Sequence, residues 1–210
     1  VILQEVVGTQ WGTRFYPTIS GVARSLNYYS IEDEKPEEGV VSLALGLGKY
    51  IVDGGLTLRV CPYHPTKVLQ TKTMDMTLRE TQTSFYALDL KNRGENFSLD
   101  DGFNLLKLPI KEAEKNDALQ FIASTYDPFN MEIQDGVYPI GRKLITFANI
   151  LKREDFPLAR ILQLAQEYGQ NEMHRPVEIE FAVTLNAKEK TGTFYLLQVR
   201  PMVDVKADLS

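Results

Sequence analysis

Residues 177–185 (VEIEFAVTL) and 193–200 (TFYLLQVR) read as two strands joined by the polar loop 186–192. Side chains alternate along a strand, so Val177, Ile179, Phe181, Val183 and Leu185 share one face and Glu178 and Glu180 share the other. In the second strand Tyr195, Leu197 and Val199 fall on one face, Gln198 and Arg200 on the opposite one. If the loop closes symmetrically, Glu180 lies across from Gln198 and Glu178 across from Arg200. A slip of one residue would bury the charges, which constrains the parity more than the register.

Two carboxylates beside a neutral amide oxygen suit Mg²⁺, a hard cation that takes oxygen ligands and is shared with substrate phosphates. An arginine next to them grips a phosphate oxygen through two parallel hydrogen bonds and stabilises charge during transfer. The same four residues also suit an ordinary solvated sheet face crossed by salt bridges. Spacing alone leaves both readings open.

The elements that must position this hairpin are partly legible. Before it, Asp155 is expected to cap a helix, with Pro157 in its first turn and Leu158, Ile161, Leu162 and Ala165 on one apolar stripe. That helix should run to about Met173. Residues 1–7 (VILQEVV) form a nearly continuous apolar run, as expected of a strand covered on both faces. Residues 15–31 read as one or two strands bent at Pro17 and Gly21, and 32–39 (EDEKPEEG) as a solvated acidic loop. Residues 40–45 make another strand, ending in Gly46-Leu47-Gly48. A short helix over 49–53 follows, stopped by Gly54-Gly55.

The middle, 71–149, is less patterned. Helical spacing runs through 111–123, Asp127-Pro128 and Asp135-Gly136 are turn signals, and 144–151 suits strand or helix. There is no internal repeat. The expected class is α+β with a mostly antiparallel sheet and flanking helices.

Net charge is −5 without any block of lysines or arginines, so a polynucleotide partner is disfavoured, whereas a small phosphate ligand is not. No apolar run spans a bilayer, which argues against a membrane partner. Cys61 has no second cysteine to pair with, which fits a reducing compartment; with no leader-like segment, the expectation is cytoplasmic. His64, in Cys61-Pro62-Tyr63-His64-Pro65, lies in a loop by composition, where a Cys/His metal pair is conceivable but usually incidental. His174 is expected at a helix end, where a cation is mildly favourable.

Residues 176–202 (PVEIEFAVTLNAKEKTGTFYLLQVRPM) resemble the end of the ATP-grasp nucleotide-binding domain of phosphoenolpyruvate synthases and pyruvate phosphate dikinases. That family shows an acidic-x-Glu strand, a loop and then Leu-Gln-x-Arg, positions held here by Glu178, Glu180, Gln198 and Arg200. The resemblance implies that Glu178, Glu180 and Gln198 surround Mg²⁺ and the ATP phosphates, and that Arg200 contacts the phosphates. Residues 1–7 resemble the family's hinge strand, which implies that Gln4, Glu5 and Val6 present backbone groups to the adenine edge. Ser20-Gly21-Val22 resembles the Ser-Gly-Val of the next strand. Gly46-Leu47-Gly48-Lys49 resembles a Gly-Leu-Gly-Glu motif with lysine in place of glutamate. The resemblance covers the first fifty-odd and last thirty-five residues well and the middle loosely.

By this resemblance residues 1–210 are one lobe of a larger enzyme, with a further ATP-grasp lobe before Val1 and a phosphohistidine domain and pyruvate-binding barrel after Ser210. The implied activity is transfer of a phosphoryl group from ATP to a histidine and on to pyruvate. A non-catalytic nucleotide-sensing module, or a related kinase with another acceptor, fits the same residues.

Overall fold

The computed structural model describes residues 3–91, 102 and 104–202. The first part of the chain contains β1 (Thr9–Trp11), β2 (Arg14–Tyr16), β3 (Ile19–Arg24), β4 (Val40–Ala44), α1 (Lys49–Val52) and β5 (Leu58–Val60). The middle contains α2 (Met74–Glu80), β6 (Ser84–Asp89), β7 (Leu105–Pro109), α3 (Leu119–Ile122), β8 (Ala123–Asp127), β9 (Glu132–Asp135) and β10 (Arg142–Ile145). The last part contains α4 (Ala148–Leu151), α5 (Leu158–Met173), β11 (Val177–Asn186) and β12 (Thr191–Pro201). The strands form three sheets, ordered β12-β11-β3-β4-β5, β1-β2-β6-β7 and β10-β8-β9. Every described ladder is antiparallel. The α+β class expected from the sequence is therefore the one observed.

The five-stranded sheet has an apolar inner face because odd-numbered positions of β11 meet apolar positions of its neighbours. Cross-strand rows run Ile179–Ala23–Val41–Val60 and Phe181–Gly21–Leu43–Leu58. Apart from Gly21, each of these residues belongs to the main hydrophobic core. A Cβ on Gly21 would stand 2.2 Å from Phe181 Cζ, so glycine is what lets the phenyl ring lie across the sheet. The helix α5 packs on β11 and β3, burying Leu158 and Leu162, with Ile161 and Ala165 at the core's margin. Each fully buried aliphatic or aromatic side chain contributes about 1.5–3 kcal/mol relative to exposure.

Several expectations are corrected. Val1 and Ile2 lie outside the described residues; residues 3–7 form no strand, and Leu3 is 92 % exposed. An apolar run becomes a strand only where a neighbouring strand accepts its backbone, and this one pairs with none among the described residues. Asp155 does not cap α5: Pro157 occupies the cap position without a side-chain bond, and Asp155 turns to Arg153 at 3.6 Å. The acidic loop is not simply solvated, since the Glu34 side chain is only 6 % exposed and faces Arg59. Helical spacing over 111–123 breaks into a 3-10 turn (Ile110–Lys115) and α3, because Asn116 is extended and its Oδ1 accepts from the Ala118 N–H at 2.7 Å. Both readings of 144–151 hold in part: β10 ends at Ile145 and α4 begins at Ala148.

Candidate functional site

The opposite face of the five-stranded sheet gathers the polar residues. The observed register pairs Glu178 with Arg200 and Glu180 with Gln198, the pairs expected from a symmetric closure, although the turn closes at Asn186–Thr191 and a bulge restores the offset of one residue. The ladders continue these pairs into rows. One row runs Arg200–Glu178–Arg24–Val40, and the next runs Gln198–Glu180–Val22–Ser42–Arg59. A third runs Tyr195–Ala182–Ser20–Ala44. Paired residues project to the same side, so all four predicted hairpin residues share one face with the Ser20-Gly21-Val22 strand.

The hairpin departs from perfect alternation at one point. The register shifts between Glu180 and Phe181, so that Phe181 pairs with Leu196 and Leu197 is the extra residue. This bulge carries Phe194 to the core side, where its ring stacks on Phe181 at 5.0 Å, and Tyr195 to the polar face. The expectation that Tyr195, Leu197 and Val199 share a face is thus overturned. Four consecutive apolar residues, Phe194 to Leu197, leave no polar alternation to fix the parity there.

Within the first row Glu178 is held from both sides. Arg24 Nε donates to its Oε2 at 2.7 Å, and Arg200 donates to Oε1 from Nε at 2.9 Å and from its terminal nitrogen. The carboxylate side chain is 11 % exposed while the two guanidiniums are about half exposed. Burial works to raise the Glu178 pKa, but hydrogen bonds from Arg200 and Arg24, with their charge, hold it below the usual carboxylate range. Glu178 in turn holds the Arg200 guanidinium more firmly protonated. Glu180 is less committed: its carboxylate lies 3.9 Å from Arg200 and its side chain is 35 % exposed. Arg24 is the residue that sequence reading missed. Its signal was available in the same alternation that sets Ser20 and Val22 on this face.

Because its folded pKa lies below the unfolded value, the ionised Glu178 contributes stability that is present above the ordinary carboxylate range and lost as pH falls through the lowered value. Glu178→Gln should therefore cost about 1 kcal/mol near neutrality, the guanidiniums being well hydrated. The gap from wild type should close in acid. Urea denaturation of both proteins across that range checks this; a gap that persists at the acid end contradicts it.

The glycine motif meets the third row. Ser20 Oγ donates to the Gly46 carbonyl at 2.6 Å, and a Cβ on Gly48 would touch Ser20 at 3.7 Å. Gly46 has φ +89°, and a Cβ there would stand 2.6 Å from the Tyr86 carbonyl, so both conformation and space demand glycine. A second residue unread in the sequence, buried Gln82, accepts from the Leu45 N–H at 2.8 Å and donates to its carbonyl at 2.9 Å. Its amide copies a strand neighbour and fixes the loop's approach. Lys49, the last residue of the Gly46-Leu47-Gly48-Lys49 motif, forms an ion pair with Asp53 at 2.9 Å.

At the outer edge, the Gln4 side chain donates to the Leu197 carbonyl at 3.2 Å, on the bulge. Gln4 is thereby tied to β12 one residue before Gln198, although residues 3–7 form no strand. Two apolar side chains, Val6 and Leu196, are half exposed. The polar face is open rather than enclosed. A cavity of about 190 Å³ lined by Lys72, Ser124, Asp135, Thr146 and Lys152 includes none of the hairpin's charged groups. His174 closes α5 in a left-handed conformation, and no described helix is long and apolar enough to cross a membrane.

Taken together the face offers hard oxygen donors at Glu180 and Gln198 flanked by two guanidiniums. Hard oxygens beside guanidiniums have the chemistry that a divalent cation and a phosphate group require. The model of one protein family, described as pyruvate phosphate dikinase, AMP/ATP-binding domain, matches residues 1–208. The match runs through the middle of the chain, where the sequence resemblance was loose. No curated protein matches the chain.

Proposed function

From the membership of this chain in the pyruvate phosphate dikinase AMP/ATP-binding domain family, we propose that the polar sheet face receives the phosphates of Mg·ATP for phosphoryl transfer. The observation that carries the reading is the pair of adjacent rows, Arg24–Glu178–Arg200 and Glu180–Gln198, on one open face. The donor set suits Mg²⁺, which would neutralise phosphate charge when bound. Glu180 and Gln198 are the oxygen ligands with room to hold it. Glu178 has one lone pair of Oε2 left for the cation, since Oε1 accepts twice from Arg200 and Oε2 once from Arg24.

Arg200, and Arg24 beside it, would take phosphate oxygens and stabilise the charge that develops in transfer. The Glu178 and Glu180 carboxylates offset the Arg24 and Arg200 guanidiniums, and Arg59 at the end of the second row is faced by Glu34, so this face alone attracts a polyphosphate weakly and relies on the cation. Backbone groups of Gln4, Glu5 and Val6 are assigned to the adenine edge, Gln4 being tied to the bulge through its side chain. In the parent enzyme ATP would phosphorylate a histidine on a mobile domain, which passes the group to pyruvate. The partners are then a second ATP-grasp lobe, the phosphohistidine domain and a pyruvate-binding barrel, with residues 1–210 as one nucleotide-binding lobe. The Lys49–Asp53 pair at the glycine motif favours a second reading, a module that binds nucleotide without transferring phosphate.

Arg200→Ala should weaken Mg·ATP binding to the 210-residue chain by at least about tenfold, the worth of one charged hydrogen-bonding partner. Titration followed by protein NMR measures the weak affinities expected here. Equal affinity in the variant and the wild type removes Arg200 from the phosphate site.

A further inference from the structure

Residues 61–65 take no part in the nucleotide face, yet they fold against the end of the acidic loop. Cys61 is buried directly after β5, and the His64 N–H donates to the Cys61 carbonyl at 3.0 Å, closing a turn that brings the imidazole back beside the thiol. Facing them is Glu38, the last residue of the 3-10 turn Pro36–Glu38. Its Oε2 lies 3.0 Å from His64 Nε2 and 3.9 Å from Cys61 Sγ. One thiol, one imidazole nitrogen and one carboxylate oxygen thus lie within 4.8 Å of one another, the one such trio among the described residues.

The Cys61 sulfur accepts from the backbone N–H groups of Tyr63 and His64, a setting that suits a metal-bound thiolate as well as a thiol. A thiol is a weak donor, and at 3.9 Å it adds little to a carboxylate already bonded to His64 and to the Lys35 N–H. As a ligand the same sulfur is strong. Two separate segments, 38 and 61–64, bring sulfur, nitrogen and oxygen to one point, and the prolines at 62 and 65 stiffen the turn that does it.

We propose that Glu38, Cys61 and His64 form a site for one borderline-soft divalent ion of the Zn²⁺ class, distinct from the Mg²⁺ position on the nucleotide face. Thiolate with imidazole selects Zn²⁺ over Mg²⁺ or Ca²⁺, which take oxygen ligands. Binding releases the thiol proton to solvent, and the resulting thiolate and the Glu38 carboxylate balance the two charges of the ion. Three protein ligands leave a fourth, tetrahedral position for water. The ion would clamp the acidic loop to the end of β5, one residue beyond Val60 and two beyond Arg59 of the nucleotide face. The site stands or falls independently of the ATP reading.

The test uses the chelator-treated 210-residue chain titrated with Co²⁺ and then Zn²⁺. Expected are one equivalent bound, a thiolate-to-cobalt charge-transfer band with tetrahedral visible bands, displacement by Zn²⁺, and a higher melting temperature with Zn²⁺. His64→Gln and Glu38→Gln should each weaken binding more than about a hundredfold, beyond the cost of losing an outer-sphere partner. These two variants keep the buried cysteine, so they remain informative if Cys61→Ser fails to fold. A wild-type protein without the sulfur–cobalt band, or wild-type affinity in both glutamine variants, overturns the proposal.

Discussion

Glu180→Gln in the parent enzyme should lower ATP-dependent labelling of its phosphoryl-accepting histidine by on the order of a hundredfold or more. The substitution keeps size and shape but removes the charge that balances the cation beside Gln198. Among the described residues the ion pair of Glu180 is the long one with Arg200, at 3.9 Å, so stability should change little. Labelling run beside a thermal melt separates the two effects. Near-wild-type labelling with an unchanged melt would remove Glu180 from the metal site and favour the sensing module.

Phe181→Ala should cost about 3–5 kcal/mol of folding stability, the range for emptying a buried phenylalanine site. The ring is 1 % exposed, lies across Gly21 and stacks on Phe194. Gly21 offers no side chain to refill the space, so relaxation is limited. The ring also supports the bulge that follows Glu180, and its loss should loosen the register of Gln198 and Arg200. Urea denaturation gives the stability, and nucleotide titration under folded conditions gives the effect on the face. A cost below about 1 kcal/mol would mean that the core does not rely on this ring.

The hairpin was legible because charge alternates with apolar residues along 177–181 and 198–200, and burying a charge is costly enough to fix the parity. The bulge was not, since Phe194 to Leu197 offer two apolar faces of equal merit. The resemblance drew attention to Ser20-Gly21-Val22 but not to Arg24 one turn of the pleat further on, although the same alternation places it. Gln82 gave no signal, because a buried amide that mimics a strand looks like any polar residue in sequence. The acidic loop misled in the opposite way: Glu34 and Glu38 find Arg59 and His64 only through the fold. Elements of four or five residues in the middle were too short for periodicity to register. The run 3–7 shows that an apolar stretch specifies a strand only together with its partner.

The central claim is that the face bearing Glu178, Glu180, Gln198, Arg200 and Arg24 seats the phosphates of ATP. The most direct measurement is an amide NMR titration of the 210-residue chain with Mg·ATP. The account predicts shifts concentrated at residues 20–24, 46–49, 178–180 and 198–200, larger with Mg·ATP than with Mg·AMP. Shifts confined to another surface, such as the Lys72–Lys152 cavity, or none at saturating nucleotide, would contradict it.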